Sequence, residues 1–323
     1  MNTPAVASTR PQVSSLGAWM ASNPRARTLR TLVLREFWEH RSLWLVPLIV
    51  AALLLVCALL THGAARIDSG DAGEWLDPQV KSNLFALAQW GLTIPHYLVM
   101  ILLLTFYLLD CLYGERKDRS ILFWKSLPVS DGITVVSKLL VACVVVPLGT
   151  FVLALITDVL FTIIWDLRAF IGQAPELVVW DTVAFLKTQA VMFLGLMVSM
   201  LWYAPFLGCL LLASALVRRN ALMWVTVVPL VAVIVERIAF GTHWLSSFLH
   251  YRSIGIWGDL ELESAILGSL TPVGGNEIVS IPEVFDRVHV GPAFINIVLW
   301  LGVLFTAACA YAAVRVRRYR DDT

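Results

Sequence analysis

Tyr113-Gly-Glu-Arg-Lys-Asp-Arg-Ser-Ile-Leu-Phe-Trp-Lys-Ser-Leu-Pro-Val-Ser-Asp131 sets a burst of charge between two long apolar runs. To its left, residues 82–109 carry no formal charge, and to its right neither do residues 139–157. Each flank is long enough to cross the roughly 30 Å hydrocarbon core of a bilayer, so the stretch lies at a membrane face between two spans. Gly114 lets the preceding helix stop, Glu115 and Asp118 suit the positive N-terminal end of a short new helix, and Pro128 ends that helix. The residues read as a short helix lying across the membrane surface. An ordinary solvated loop whose charges serve only topology is the competing reading.

Composition points the same way. Of the 323 residues, 59% are hydrophobic and 15% charged, with a mean hydropathy of +0.77, more apolar character than a soluble core of this length requires. The fold class expected is an all-α integral membrane protein. Lys plus Arg number 24 against 23 Asp plus Glu, so the basic surplus that marks nucleic-acid binders is missing and no nucleic-acid partner is expected. The five cysteines, Cys57, Cys111, Cys143, Cys209 and Cys309, lie in or beside apolar runs without a Cys-x-x-Cys pair, which implies neither a disulfide framework nor a thiolate metal site.

Residues 1–24 are rich in Ala, Ser, Thr and Pro and read as a mobile cytoplasmic tail with no signal-peptide core. Residues 25–41 follow as an interfacial helix. Leu29, Val33 and Phe37 recur at helical spacing with Leu34 and Trp38 beside them and Arg35 and Glu39 opposite, while Arg30, Glu36 and Arg41 spoil the stripe. A six-span domain over residues 42–314 is expected next, its spans at 42–61, within 82–109, at about 134–157, within 188–217, at 220–235 and within 291–314. Residues 315–323 form a second cytoplasmic tail. Lys138 is placed to snorkel to headgroups, and Asp158 and His96 are placed near the outer ends of their spans, close to water.

Orientation follows from the cations. With the N-terminus inside, the inner segments hold 17 Lys and Arg and the outer segments 7, which satisfies the positive-inside rule and puts both termini in the cytoplasm. The outer segment 238–290 mixes Phe240, Trp244, Phe248, Tyr251, Trp257 and Phe285 with Gly and Pro, as a partly re-entrant segment before the last span would; a lid with only a packing role is the alternative. Pro47, Pro95, Pro147, Pro205 and Pro229 place a kink in each of the first five spans. Gly195-x-x-x-Ser199 and Ala204-x-x-x-Gly208 allow close helix approach in the fourth.

The chain has no Gly-x-x-x-x-Gly-Lys-Ser/Thr phosphate loop, no Gly-x-Gly-x-x-Gly, no Gly-x-Ser-x-Gly and no His-Glu-x-x-His. Glu236, His243 and His250 recur every seven residues, so one helix through all three would offer oxygen and nitrogen ligands to a metal, although Gly241 weakens such a helix. Lipid- or backbone-bonded histidines are the commoner outcome of that pattern. With Asp259 the same residues define the competing function, a membrane-embedded enzyme with an outward acid-base or metal site acting on lipid or peptide.

Within the central stretch, Glu115, Ser120, Ile121, Ser126, Leu127, Pro128, Val129, Ser130 and Lys138 match the Glu-led turn, the Leu-x-Ser-Leu-Pro-Val-Ser block and the span-opening Lys of a known family. In these residues the chain resembles the type-2 membrane permease subunits of ATP-binding-cassette (ABC) transporters. The run Leu34-Arg-Glu-Phe-Trp-Glu-His-Arg-Ser-Leu-Trp44 is similar to that family's N-terminal connecting helix. The resemblance implies an exporter subunit in a bacterial-type inner membrane that is not itself an enzyme. It implies a homo- or heterodimer of permeases in membrane lipid, with a separate nucleotide-binding subunit docked on a coupling helix in residues 113–131. Glu115, Arg116, Lys117, Arg119, Trp124, Leu127 and Pro128 would carry the coupling, and ATP and Mg would be bound by the partner, with no cofactor on this chain.

Overall fold

The computed structural model describes residues 23–60, 78–118, 129–171, 180–217, 220–259 and 291–319, which are helical with short connections and no strand. Six helical stretches among them are long and apolar enough to span a membrane, so the chain is an integral membrane protein. Their lipid-facing surface is written in side chains. Leu45, Leu48, Ile49, Leu53, Leu98, Leu102, Phe106, Leu230 and Leu304 are all exposed large hydrophobics, a distribution that water would punish and hydrocarbon does not.

α1 spans Pro24–Glu39 and leads through a two-residue break into α2, Ser42–Leu60. In α2 the buried positions are Leu43, Pro47, Ala51 and Ala58, while Leu45, Leu48, Leu53 and Leu59 face outward. α3 runs Pro78–Asp110, covering the whole stretch within which the second span was expected, and α4, Tyr113–Lys117, follows after one turn. α5, Asp131–Leu140, starts at Ser130, whose side chain accepts from the Ile133 N–H as an N-cap should. It continues through a π turn, Val141–Val145, into α6, Val146–Phe170. The π turn has a visible cause: Pro147 has no N–H to return to the preceding turn, and the Val146 N–H reaches five residues back to Val141 O instead.

α7, Thr182–Leu216, is the central helix, packed along α3 and along α11, Ile297–Tyr319. Gly208 explains the second contact, since a Cβ there would stand 3.1 Å from Thr306 Cα and 3.3 Å from Cys309 Cβ. Gly195 plays no such part; a Cβ there would meet nothing within 4 Å. α8, Ala221–Phe240, is peripheral and buries only Ala221. Gly241 ends it with φ +65, a left-handed conformation natural to glycine, and α9, Trp244–Asp259, begins after a short link. The short α10, Gly291–Ile295, precedes α11. The main core runs through Leu43, Met100, Leu104, Leu108, Val135, Leu196, Met200, Leu207, Leu211 and Ala313, tying α2, α3, α5, α7 and α11 together.

Several expectations are corrected by these elements. The third apolar stretch is continuous from Asp131 to Phe170, so Asp158 lies inside a helix rather than at the end of one. Asp158 and His96 are both wholly buried, not near water. Glu236, His243 and His250 do not share a helix, because Gly241 separates α8 from α9. Residues 1–22, 61–77, 119–128, 172–179, 218–219, 260–290 and 320–323 lie outside the described residues, and with them Arg119, Trp124, Leu127, Pro128 and most of the outer segment 238–290.

A buried charge cluster at the end of the bundle

Glu115 is the hub of the candidate site. α4 is a single helical turn held against α7 by its own backbone: the Leu112 and Tyr113 N–H groups both donate to Ser214 Oγ at 3.0 Å. Arg116 locks the same contact from the other side, donating to the Ser214 and Val217 carbonyls at the end of α7. With α4 pinned this way, Glu115 points inward and is 7% exposed, whereas Lys117 and Asp118 face solvent.

Three cations from three other elements converge on that carboxylate. Arg35 Nη2 of α1 is 3.0 Å from Glu115 Oε1, Lys138 Nζ of α5 is 3.1 Å from the same oxygen, and Arg317 Nη1 of α11 bonds Oε2. A second carboxylate, Glu36, completes the pocket. Lys138 Nζ lies 2.8 Å from Glu36 Oε1, and the Tyr107 hydroxyl donates to Oε2 at 3.0 Å. The rim is acidic as well: Arg317 Nε reaches Asp131 Oδ1 at 2.9 Å, and Arg35 makes a two-pronged pair with Glu39 at 2.6 and 3.0 Å.

Ionisation is held by these neighbours. Burial alone would lower the Arg35 pKa, but the Glu39 hydrogen bond and the charges of Glu115, Glu39 and Glu36 outweigh it, so the guanidinium stands above its usual value. Taking Lys138 and Glu36 out of water is costly, and only a fully bonded network of both signs makes such burial stable. Each has those bonds here.

The sequence reading placed some of these groups elsewhere. Lys138 does not snorkel; its side chain is wholly buried, because two carboxylates meet it inside the bundle and no headgroup is needed. Glu36, read as a fault in the α1 stripe, is the residue that α1 buries, with Leu32 one turn before it, while Trp38 is 78% exposed. Glu115 acts as a shared counter-ion rather than a surface anion at a helix start. Glu36 stands out in the sequence as a charge following the apolar Leu32 and Val33, whereas Arg317 is hidden in the basic run Arg315-Val-Arg-Arg-Tyr-Arg320, and no spacing rule links positions hundreds of residues apart.

Glu36, Glu39 and His40 are the described residues whose potential ligand atoms lie within 4.8 Å of one another in a group of three. Lys138 and Arg35 already occupy the two carboxylates. Glu236, His243 and His250 form no such group. Glu236 accepts from the Leu245 N–H and the Thr242 hydroxyl at 2.9 Å each, which makes it a cap on the start of α9.

At the other end of the bundle α9 is anchored by Arg252. Its guanidinium carbon lies 4.5 Å from the Trp202 ring centroid, its Nη1 donates to Val298 O at 3.0 Å, and the Trp202 indole donates back to Arg252 O at 2.8 Å. Scans of this chain against protein-family models, curated proteins and solved structures returned no match.

Proposed function

We propose that this chain is the membrane permease subunit of an ATP-driven ABC exporter, in which the cytoplasmic end of the bundle receives force from a separate nucleotide-binding subunit. The observation that carries the reading is the Glu115 carboxylate, bonded at once to Arg35, Lys138 and Arg317. A push on the segment after Lys117 reaches the N-terminal helix, the third span and the last span through one side chain. An ordinary topogenic loop needs no such junction.

In this reading α1 is the interfacial connecting helix, the stretch 113–131 carries the coupling to the ATPase, and α9 is the partly re-entrant element. Trp202, which α9 grips, is about fourteen residues or roughly 21 Å from the Leu216 end of α7, a depth well inside a bilayer. The second permease subunit would find its largest free apolar surface on α8. The termini face the cytoplasm of a bacterial-type inner membrane by the cation asymmetry, and ATP with Mg belongs to the partner.

The test is affinity purification in mild detergent, with identification of a phosphate-loop ATPase and its stimulation by candidate cargo. Lys117→Glu and Trp124→Ala should weaken that co-purification while leaving the permease monodisperse, because Lys117 is exposed and outside the Glu115 network. If the doubly substituted chain binds the ATPase and supports export as the parent does, the coupling role of the stretch is wrong.

A further inference from the structure

Far from the Glu115 cluster, three apolar helices bring polar side chains to one level. Asp158 of α6 is wholly buried, and its Oδ2 accepts from Gln189 Nε2 of α7 at 2.8 Å and from Thr93 Oγ1 of α3 at 3.3 Å. Among the described residues its Oδ1 has no hydrogen-bond partner. Neither has the Thr188 hydroxyl, nor either amide atom of Gln89. All three side chains are more than nine-tenths buried, where an unpaired polar atom is rare and calls for a cause.

Helical register places them together. Phe85 belongs to one buried cluster with Ala184 and Phe185, against which Leu155 and Val159 pack, and about two turns further along α3 Thr93 meets Asp158. Gln89 lies one turn from each of these positions on the same face of α3, and Thr188 lies between Ala184 and the Gln189 that bonds Asp158. The unpaired groups therefore occupy the layer between two established contacts.

The chemistry narrows the ligand. No Lys or Arg pairs with Asp158 among the described residues, so its charge needs a counter-ion. A proton on Oδ1 would supply neutrality but could donate to only one of the Gln89 amide oxygen and the Thr188 hydroxyl oxygen, whereas a cation can meet both oxygens. Divalent hard cations draw on more than one carboxylate in such dry surroundings, and softer metals choose nitrogen or sulfur. His96, the near imidazole, is already engaged: Nδ1 faces Leu92 O at 2.8 Å and Nε2 faces Thr157 Oγ1 at 3.4 Å. What remains is one carboxylate oxygen, one amide oxygen and one hydroxyl. We infer that Asp158, Gln89 and Thr188 bind a dehydrated monovalent cation, sodium, within the membrane domain, with Thr93 and Gln189 as the positioning residues that fix the carboxylate. This site stands independently of the export reading.

The experiment uses the full chain in lipid nanodiscs and measures ²²Na⁺ binding at constant pH and ionic strength, with choline as the replacing cation. Saturable binding, displaced by unlabelled sodium, is expected for the parent chain. Asp158→Asn, which keeps the shape and the Gln189 contact, should abolish it, and Gln89→Leu, which keeps the carboxylate, should also lose it. Gln189→Leu should bind about tenfold more weakly, as loss of a residue that orients a ligand does. Thr226→Val, an exposed change on α8, should bind as the parent. Absence of saturable sodium binding in the monodisperse parent protein overturns the inference. So does binding that survives in Asp158→Asn, or a parent chain stabilised by protons alone and indifferent to sodium.

Discussion

Lys138 and Glu36 stand 102 residues apart in the chain and 2.8 Å apart in the fold, with neither side chain open to water. Lys138 is the only lysine or arginine paired with Glu36 among the described residues, whereas Lys138 has Glu115 as a second carboxylate at 3.1 Å. Lys138→Met alone should therefore destabilise the chain by about 3–5 kcal/mol, since it leaves the Glu36 carboxylate buried without its cation, and Glu36→Gln should cost less because Lys138 keeps Glu115. The double variant Glu36→Leu with Lys138→Met should cost much less than the sum of the two. Its remaining deficit belongs to Tyr107 and Glu115, which lose a bond each. Thermal unfolding in detergent of all four members of this cycle measures the coupling; additive losses would mean the two residues do not act as a pair.

Arg317 holds the end of α11 by two geometrically fixed bonds, Nη1 to Glu115 and Nε to Asp131. Lysine has the charge but not the fork, so Arg317→Lys should lose one of the two bonds, about 1.5–3 kcal/mol for a hydrogen bond to a charged group. The loss is local in the first instance. Hydrogen exchange should rise over the last turns of α11 before it rises in α7, and equal protection in the Lys variant and the parent would show that the fork is not what holds the helix end.

Much of the fold was readable because bilayer physics leaves so little freedom: charge-free runs of twenty residues have one common solution, and all six expected spans correspond to apolar helices. Their ends were less legible. Asp158 looked like a terminus because a charge inside an apolar run is expensive, and the helix runs twelve residues past it because Gln189 and Thr93 lie across from it on neighbouring helices. Glu36 was misread for the same reason. A stripe pattern scores a residue by its own polarity, whereas the fold scores it by what faces it, and Lys138 cannot be placed opposite Glu36 from local spacing. Pro147 was legible as a disturbance, though the form it takes, a π turn just before it rather than a bend, depends on how the freed carbonyls are satisfied.

Gly302 and Arg252 are complementary in volume. A Cβ built on Gly302 would overlap Arg252 Nη2 and lie 2.8 Å from Pro205 Cγ, so Gly302→Ala must displace the guanidinium from the Trp202 face and loosen α9 from α7 and α11. Overpacking of this kind costs about 1–3 kcal/mol. Arg252→Ala in the Gly302→Ala background should restore part of it, the Pro205 contact accounting for the rest. Limited proteolysis near the start of α9 and the unfolding temperature read both effects. If the second substitution makes the first no milder, Arg252 is not what fills the space that glycine leaves.

The π turn at Val141–Val145 carries one residue more than an α-helix would need between Lys138 and Asp158. Deleting Val144 should return the stretch to regular helix with both side chains still on their partners. It also returns Pro147 to a helix interior, where the missing N–H and the ring clash cost about 3 kcal/mol. The deletion should thus be destabilising alone and substantially rescued by Pro147→Ala. Deleting Val152, inside α6, has no such remedy. There the missing residue rotates Asp158 by about 100° relative to Lys138, so that either Glu36 or Gln189 must lose its bond. Unfolding temperatures should rank the parent first, then the Val144 deletion with Pro147→Ala, then the Val144 deletion alone, and the Val152 deletion last. Equal damage from the two deletions, with no rescue by alanine at 147, would mean that the π turn does not absorb the register.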